Sequence, residues 1–177
     1  MQRRSALLAL AVLVLAGALA GCSPRLDWRE VRMPDTGLTA LMPCRPASQA
    51  RRLVLAGAEV EMSMLACTGD SVVFAVASAD VAQPGRVGTA IAELQAAAAR
   101  NLGAAPQVPV ALQVPGSTPN VQAGMTSFSG VLGDGRRVEE KVAVFARGTR
   151  VYQATILGPS VEVEASEAFF GGLRFAN

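Results

Sequence analysis

The sequence predicts an α+β fold, a mostly antiparallel β-sheet with one long and one short helix packed against it. Three observations carry that prediction. Residues 37–77 hold short β-type segments set off by turn residues, residues 87–102 switch to helical periodicity, and residues 125–157 read as hairpin-linked strands.

Asp27–Val31 reads as the opening strand, and Gly37–Met42 as a second that Pro43 and Pro46 bring to a stop. Arg51–Leu55 and Glu59–Ala66 flank Gly57 as a hairpin. In the second arm Glu59, Glu61 and Ser63 alternate with Val60, Met62 and Met64. Gly69-Asp70 marks a turn, and Val72–Ala77 reads as a more buried strand. From Val87, apolar residues at Ile91, Leu94, Ala98 and Leu102 fall on one helical face, with Glu93 and Arg100 pointing away. Asn101-Leu102-Gly103 ends that helix.

Four prolines between Pro106 and Pro119 make the next stretch a loop or an interrupted edge strand. Met125–Leu132, the turn Gly133-Asp134-Gly135 and Arg137–Ala146 form a hairpin. Arg147-Gly148-Thr149-Arg150 then turns the chain into Val151–Leu157. Ser160 is placed to cap a short helix over Val161–Phe170, with Glu162 and Glu164 suiting its positive end. Gly171-Gly172 stops it, and Leu173–Phe175 closes the domain.

The start of the chain has a different character. Arg3 and Arg4 precede an apolar run, Leu7–Leu15, followed by the mostly small residues Ala16–Gly21. The run from Ser5 to Ala20 falls short of the roughly 20 residues needed to span a bilayer. Leu19-Ala20-Gly21-Cys22 closes it, matching the Leu-small-small-Cys pattern, and so resembles the bacterial lipoprotein signal family. That resemblance implies cleavage before Cys22, a diacylglycerol on its sulfur and an acyl chain on its amine. Each buried methylene contributes about 0.8 kcal/mol, so three chains hold the protein to the membrane. In that family Asp after the cysteine favours inner-membrane retention. Ser23 stands there, which implies the outer membrane, periplasmic side. A plain secretory signal cut after Ala20 is the alternative.

Residues 1–21 are therefore expected to be a signal peptide and 22–26 a lipidated short tether, with residues 27–177 forming a single α+β domain. Ser23–Leu26 reaches at most about 13 Å, which keeps the domain near the membrane. Arg25, Arg29 and Arg32 lie where they would meet anionic head groups, or form an ordinary solvated face beside Asp27 and Glu30.

The chain has 16 basic and 14 acidic side chains, but Arg3 and Arg4 depart with the signal, leaving 14 of each. A balanced domain gives no reason to expect nucleic-acid binding. With Cys22 committed to lipid, Cys44 and Cys67 remain as an even pair in an oxidising compartment and are expected to form a disulfide. Two buried thiols or a metal pair remain as alternatives.

Histidine is absent, so a Ser-His or Cys-His nucleophile is excluded. Gly130, Gly133 and Gly135 sit between strands with no following helix, and turn geometry explains them better than a phosphate loop. Among the 14 acids a glycosidase-type pair stays open, although Glu139-Glu140 and the set Glu162, Glu164 and Glu167 read as solvated faces. Arg51-Arg52 and Arg136-Arg137 read as polar turns or as a match for an acidic partner. Met33, Met42, Met62, Met64 and Met125 suit core packing better than soft-metal binding. Phe169-Phe170 and Tyr152 read as core. No catalytic, cofactor or metal residue is expected.

Leu41-Met42-Pro43-Cys44-Arg45-Pro46 resembles the Phe-Pro-x-x-Pro step near the start of small bacterial PsbP-like domains. Arg150-Val151-Tyr152-Gln153, Gly158-Pro159 and Phe169-Phe170-Gly171-Gly172-Leu173-Arg174-Phe175 resemble their close. This chain departs with Met42 for Phe, Gly172 for Ser and Leu173 for Phe. The resemblance implies a central antiparallel sheet flanked by helices, in a family whose members with known roles mostly bind or assemble protein complexes. The expected function is accordingly a non-enzymatic lipoprotein of the outer membrane that binds another envelope protein. The alternative is a periplasmic small-ligand binder using a pocket between the sheet and helix 87–102.

Overall fold

The computed structural model describes residues 26–176. The expected signal over 1–21, the lipid site Cys22 and the tether through Arg25 lie outside the described residues. Nine strands and two helices follow in the order β1 (Arg29–Arg32), β2 (Leu38–Met42), β3 (Ala47–Leu55), β4 (Ala58–Gly69), β5 (Val72–Asp80), α1 (Val87–Asn101), β6 (Gly124–Val131), β7 (Arg137–Arg147), β8 (Arg150–Gly158), α2 (Val163–Gly171) and β9 (Arg174–Phe175). The class is α+β, as expected, but the strands divide into two sheets. β3-β4-β5-β8-β7-β6 is six-stranded and β1-β2-β9 three-stranded, and every pairing between strands is antiparallel.

Turn chemistry sets the register of the large sheet. Ala56-Gly57 and Asp70-Ser71 each join paired neighbours with both central residues at positive φ (50° and 71°, 51° and 66°). Two such residues give the turn whose twist matches the flanking strands. Gly148, at φ 60°, opens the corresponding link between Arg147 and Arg150. Residues 106–123 form a loop that touches the sheet through single bridges, Val110 with Met125 and Thr118 with Ala146.

Helix α1 lies on one face. Val87, Ala90, Ile91, Leu94, Ala98 and Ala99 are buried, and together with Leu102 they pack with Phe128, Val142 and Val144 from the sheet. Its end follows the expected stop. Gly103 at φ 62° lets its own N–H reach Arg100 O (3.1 Å) and Ala104 N–H reach Ala99 O (2.9 Å), which satisfies two terminal carbonyls.

The opposite face is covered by the small sheet and α2, around Leu38, Met42, Phe74, Val76 and Ile156. Aromatic edges run through this layer from Trp28 to Phe74 (6.0 Å), Phe169 (5.5 Å) and Phe170 (5.2 Å). Tyr152 stacks on Phe145 at 5.3 Å, and its hydroxyl donates to Thr36 O at 3.3 Å. Met33, Met42 and Met62 are buried, as core packing requires.

Three local expectations are corrected. Ser160 does not cap α2; the helix starts at Val163 with no side-chain cap, because Glu139 Oε2 accepts Val161 N–H (3.1 Å) and holds that residue in the preceding loop. Arg51-Arg52 lies in mid-strand on β3 rather than in a turn. Gly130 is no turn residue but part of β6, where a Cβ would stand 2.3 Å from Leu102 O. Gly171-Gly172 does end α2, as expected, and Gly172 also answers to space, since a Cβ there would meet Leu41 Cβ at 2.4 Å.

Cys44 and Cys67 are joined, with their Cα atoms 5.9 Å apart. The bond ties the segment after β2 to β4, linking the two sheets. Removing it through Cys44→Ser with Cys67→Ser is expected to cost about 3 kcal/mol by the chain-entropy relation for a loop of this length. Urea unfolding of the oxidised protein against the double variant measures it; equal midpoints would show that the bond adds nothing.

Candidate functional site

The two faces of the large sheet are covered unequally. Helix α1 packs over β7 and β8 and leaves the β3–β5 half of the same face open along its flank. There a groove of about 520 Å³ runs between the helix and the sheet. Its floor and wall include Leu53, Met62, Met64, Ala77, Leu94 and Ala98. Arg51 and Arg100 stand at its rim, and among the described residues neither forms a hydrogen bond through its side chain or an ion pair. Glu93 is committed, its Oε2 accepting Ala56 N–H at 2.7 Å and tying the helix to the β3–β4 turn. The helix thus rests on a solid core on one side and borders an open cleft on the other.

Strand β3 is the outer border of this cleft and one edge of the sheet. Among the described residues it pairs only with β4. Residues 47–52 are exposed, and Val54 is 67% exposed. Edge strands offer unpaired backbone groups to another extended chain, and charged residues on them restrict which chain can pair. Arg51 faces the groove side together with Met62, its cross-strand neighbour, while Arg52 stands on the other face opposite Glu61.

One carboxylate was misjudged by the alternation. Glu139 and Glu140 do point to opposite faces, but only Glu139 is solvated. Glu140 is 7% exposed on the α1 side, with Phe128 and Leu157 opposite it on the two neighbouring strands. Burial pushes its carboxyl up from an ordinary 4.5 to about 7. Because the two acids lie on opposite faces, they cannot act as a pair on one substrate. Glu162, Glu164 and Glu167 are exposed, as expected. Arg136 is held at the hairpin tip by Asp134 (Nε to Oδ2, 2.8 Å), so it belongs to the turn.

Comparison with protein-family models, with curated proteins and with solved structures finds no match to this chain. Among the described residues, no helix is long and apolar enough to cross a membrane.

The position of Glu140 makes stability depend on pH. Folding raises its pKa, so the native state holds the proton more tightly than the unfolded chain. The contribution is therefore complete below about 4.5 and is lost as pH rises through about 7. Across that window the loss is expected to reach about 3 kcal/mol. Glu140→Gln should remove this component of the pH dependence, as read by urea midpoints between those limits. An unchanged profile in the variant would mean that other groups set it.

Proposed function

We propose that this protein is a non-enzymatic lipoprotein of the cell envelope. It is anchored at the outer membrane through acylated Cys22 and faces the periplasm, and its PsbP-like domain binds an extended segment of another envelope protein. The single observation that carries this reading is the β3 edge, unpaired among the described residues, beside an apolar groove. A segment adding to β3 as a seventh strand would gain backbone hydrogen bonds along the edge and place alternate side chains beside Arg51 and Leu53 at the border of the groove. Arg51 and Arg52 favour a segment that carries acidic residues among its apolar ones.

The anchor fits this arrangement. Leu26 already packs near Gly69, and Asp27 N–H donates to Pro43 O at 2.8 Å, so the tether is three residues, Ser23–Arg25. Such a tether spans about 10 Å, and it leaves the end of the domain that carries the disulfide nearest the lipid. Strand β3 then runs away from the membrane toward Leu55.

A second reading is favoured by the groove itself. Two uncommitted arginines at the rim of an apolar cleft suit a small anionic amphiphile, which would make the domain a ligand binder.

Photocrosslinking in cells separates the two. A benzophenone side chain at Val54 should give a discrete protein adduct, while the same group at exposed Val121 in the far loop should give none. Adducts of lipid mass only would favour the amphiphile, and no adduct at Val54 would remove the β3 edge as a docking site. Cys22→Ser should release the protein into the soluble periplasmic fraction; continued membrane association would refute the lipid anchor.

A further inference from the structure

On the face opposite the groove, a pocket of about 350 Å³ opens between the large sheet and the Met33–Thr36 turn. Its floor is a lattice of polar side chains set by strand register. Ser63 pairs with Ser78, and Ser78 with Tyr152, in one row across β4, β5 and β8. In the next row Arg52 pairs with Glu61 and Asp80 with Arg150, and the pairing of Met62 with Ala79 brings Glu61 beside Asp80. The row therefore reads Arg52, Glu61, Asp80, Arg150, with two carboxylates side by side on neighbouring strands between two arginines.

Asp80 is held in place. Ala82 N–H donates to Asp80 Oδ1 at 2.8 Å, and Arg150 stands 3.7 Å from Oδ2. The backbone bond first, then a hydrogen bond from the Thr149 side chain and the charge of Arg150, hold that carboxyl below its usual range. The wall is rigid as well: Thr36 Oγ1 donates to Met33 O (3.0 Å) and accepts Leu38 N–H (3.2 Å), while Tyr152 Oη donates to Thr36 O. Asp35 sits in that turn at φ 56° and lines the mouth of the pocket. The independent sign of a ligand is Ser78. It is 1% exposed, it lines this pocket, and its Oγ has no hydrogen-bond partner among the described residues. Buried hydroxyls are seldom left so.

We propose that this pocket binds linear diamines and polyamines, with one terminal ammonium seated against Glu61, Asp80 and the Ser78 hydroxyl and the chain running toward Asp35. An alkylammonium carries three donors and no acceptor, which two carboxylates and a hydroxyl satisfy. Among the residues that line the pocket the one cation, Arg150, is engaged by Asp80, and Arg52 stands outside the lining, opposite Glu61. Among the described residues no cluster of three metal-ligating side chains occurs. The site lies on the other side of the sheet from the groove, and it stands or falls independently of the function proposed above.

Calorimetric titration of the detergent-solubilised full-length protein with putrescine at low ionic strength tests it. Saturable one-to-one binding is expected, with no binding of the neutral isostere 1,4-butanediol. Glu61→Gln should weaken putrescine at least about fivefold, since it removes a charge-assisted contact. Ser78→Ala, which deletes one atom, should weaken it about threefold. Glu167→Gln, on exposed α2, should bind as the wild type does. No saturable heat up to about 5 mM would overturn the proposal. Equal weakening by Glu167→Gln, or equal binding of the diol, would show a general charge or solvent effect and overturn it too. If Glu61→Gln alters the far-ultraviolet spectrum, Ser78→Ala and Asp35→Asn carry the test.

Discussion

Eight backbone pairs between β5 and β8, from Val73 opposite Leu157 to Asp80 opposite Arg150, join the first half of this chain to the second. Such pairs form only after a long loop has closed, so their cost in chain entropy must be met by burial on both faces. The residues of β5 show how this is done. On the α1 face it presents Ala75, Ala77 and Ala79; on the other it presents Phe74, Val76, Ser78 and Asp80. Large side chains fill the layer where α2 and the small sheet press down. Alanines form the layer beneath α1, where Ala77 and Ala79 pack in the same core as Ile91 and Leu94, and Ala77 also lines the groove at the helix flank. Along the second face the sequence Phe74, Val76, Ser78, Asp80 passes from core to charge, and the polar pocket begins where the last large side chain ends.

Much of this architecture was legible because local chemistry and global position agree. The period-two segments, the 3.6-residue spacing from Val87 to Leu102 and the glycine after it each specify one structure, and the structure adopts them. The division into two sheets was not legible. Nothing in Leu38–Met42 says that it will meet Arg174–Phe175 rather than extend the larger sheet, since pairing partners far apart in sequence leave no periodic trace. The start of α2 failed for a related reason, because Glu139 intercepts the backbone of Val161 from a strand more than 20 residues away.

The surfaces were harder still. Alternation shows that Glu139 and Glu140 point opposite ways, but it cannot say which is solvated when both faces of a sheet are covered. Glu140 became the buried one because α1 and the end of β6 close over its side, whereas Glu139 faces the open approach to α2. Arg51-Arg52 looked like a turn pair because the strand preceding it, Ala47–Ala50, is short on apolar residues. That poverty is what an edge strand displays, with its outer side in water. Ser78 carried no signal at all. A serine in a run of Val, Ala and Phe reads as an ordinary small core residue until strand register sets it next to Ser63 and Tyr152.

Strand direction also decides where each surface stands relative to the proposed anchor. Leu26, Cys44, Cys67 and Gly69 gather at one end of the domain, the end at which β4 finishes and β5 starts. Eight residues of β4 separate Gly69 from Glu61, about 26 Å at the usual strand rise. The Glu61, Asp80 and Arg150 end of the polar pocket is therefore remote from the tether. The part of β3 that borders the groove, Arg51–Leu55, lies at the same remote end through its pairing with Ala58–Met62. A short tether would restrict what lies next to the bilayer, and in this topology that is the disulfide and the aromatic layer. The groove and the polar pocket open on opposite faces of the sheet at its far end, where a soluble ligand and an extended chain could each approach without meeting the membrane or one another.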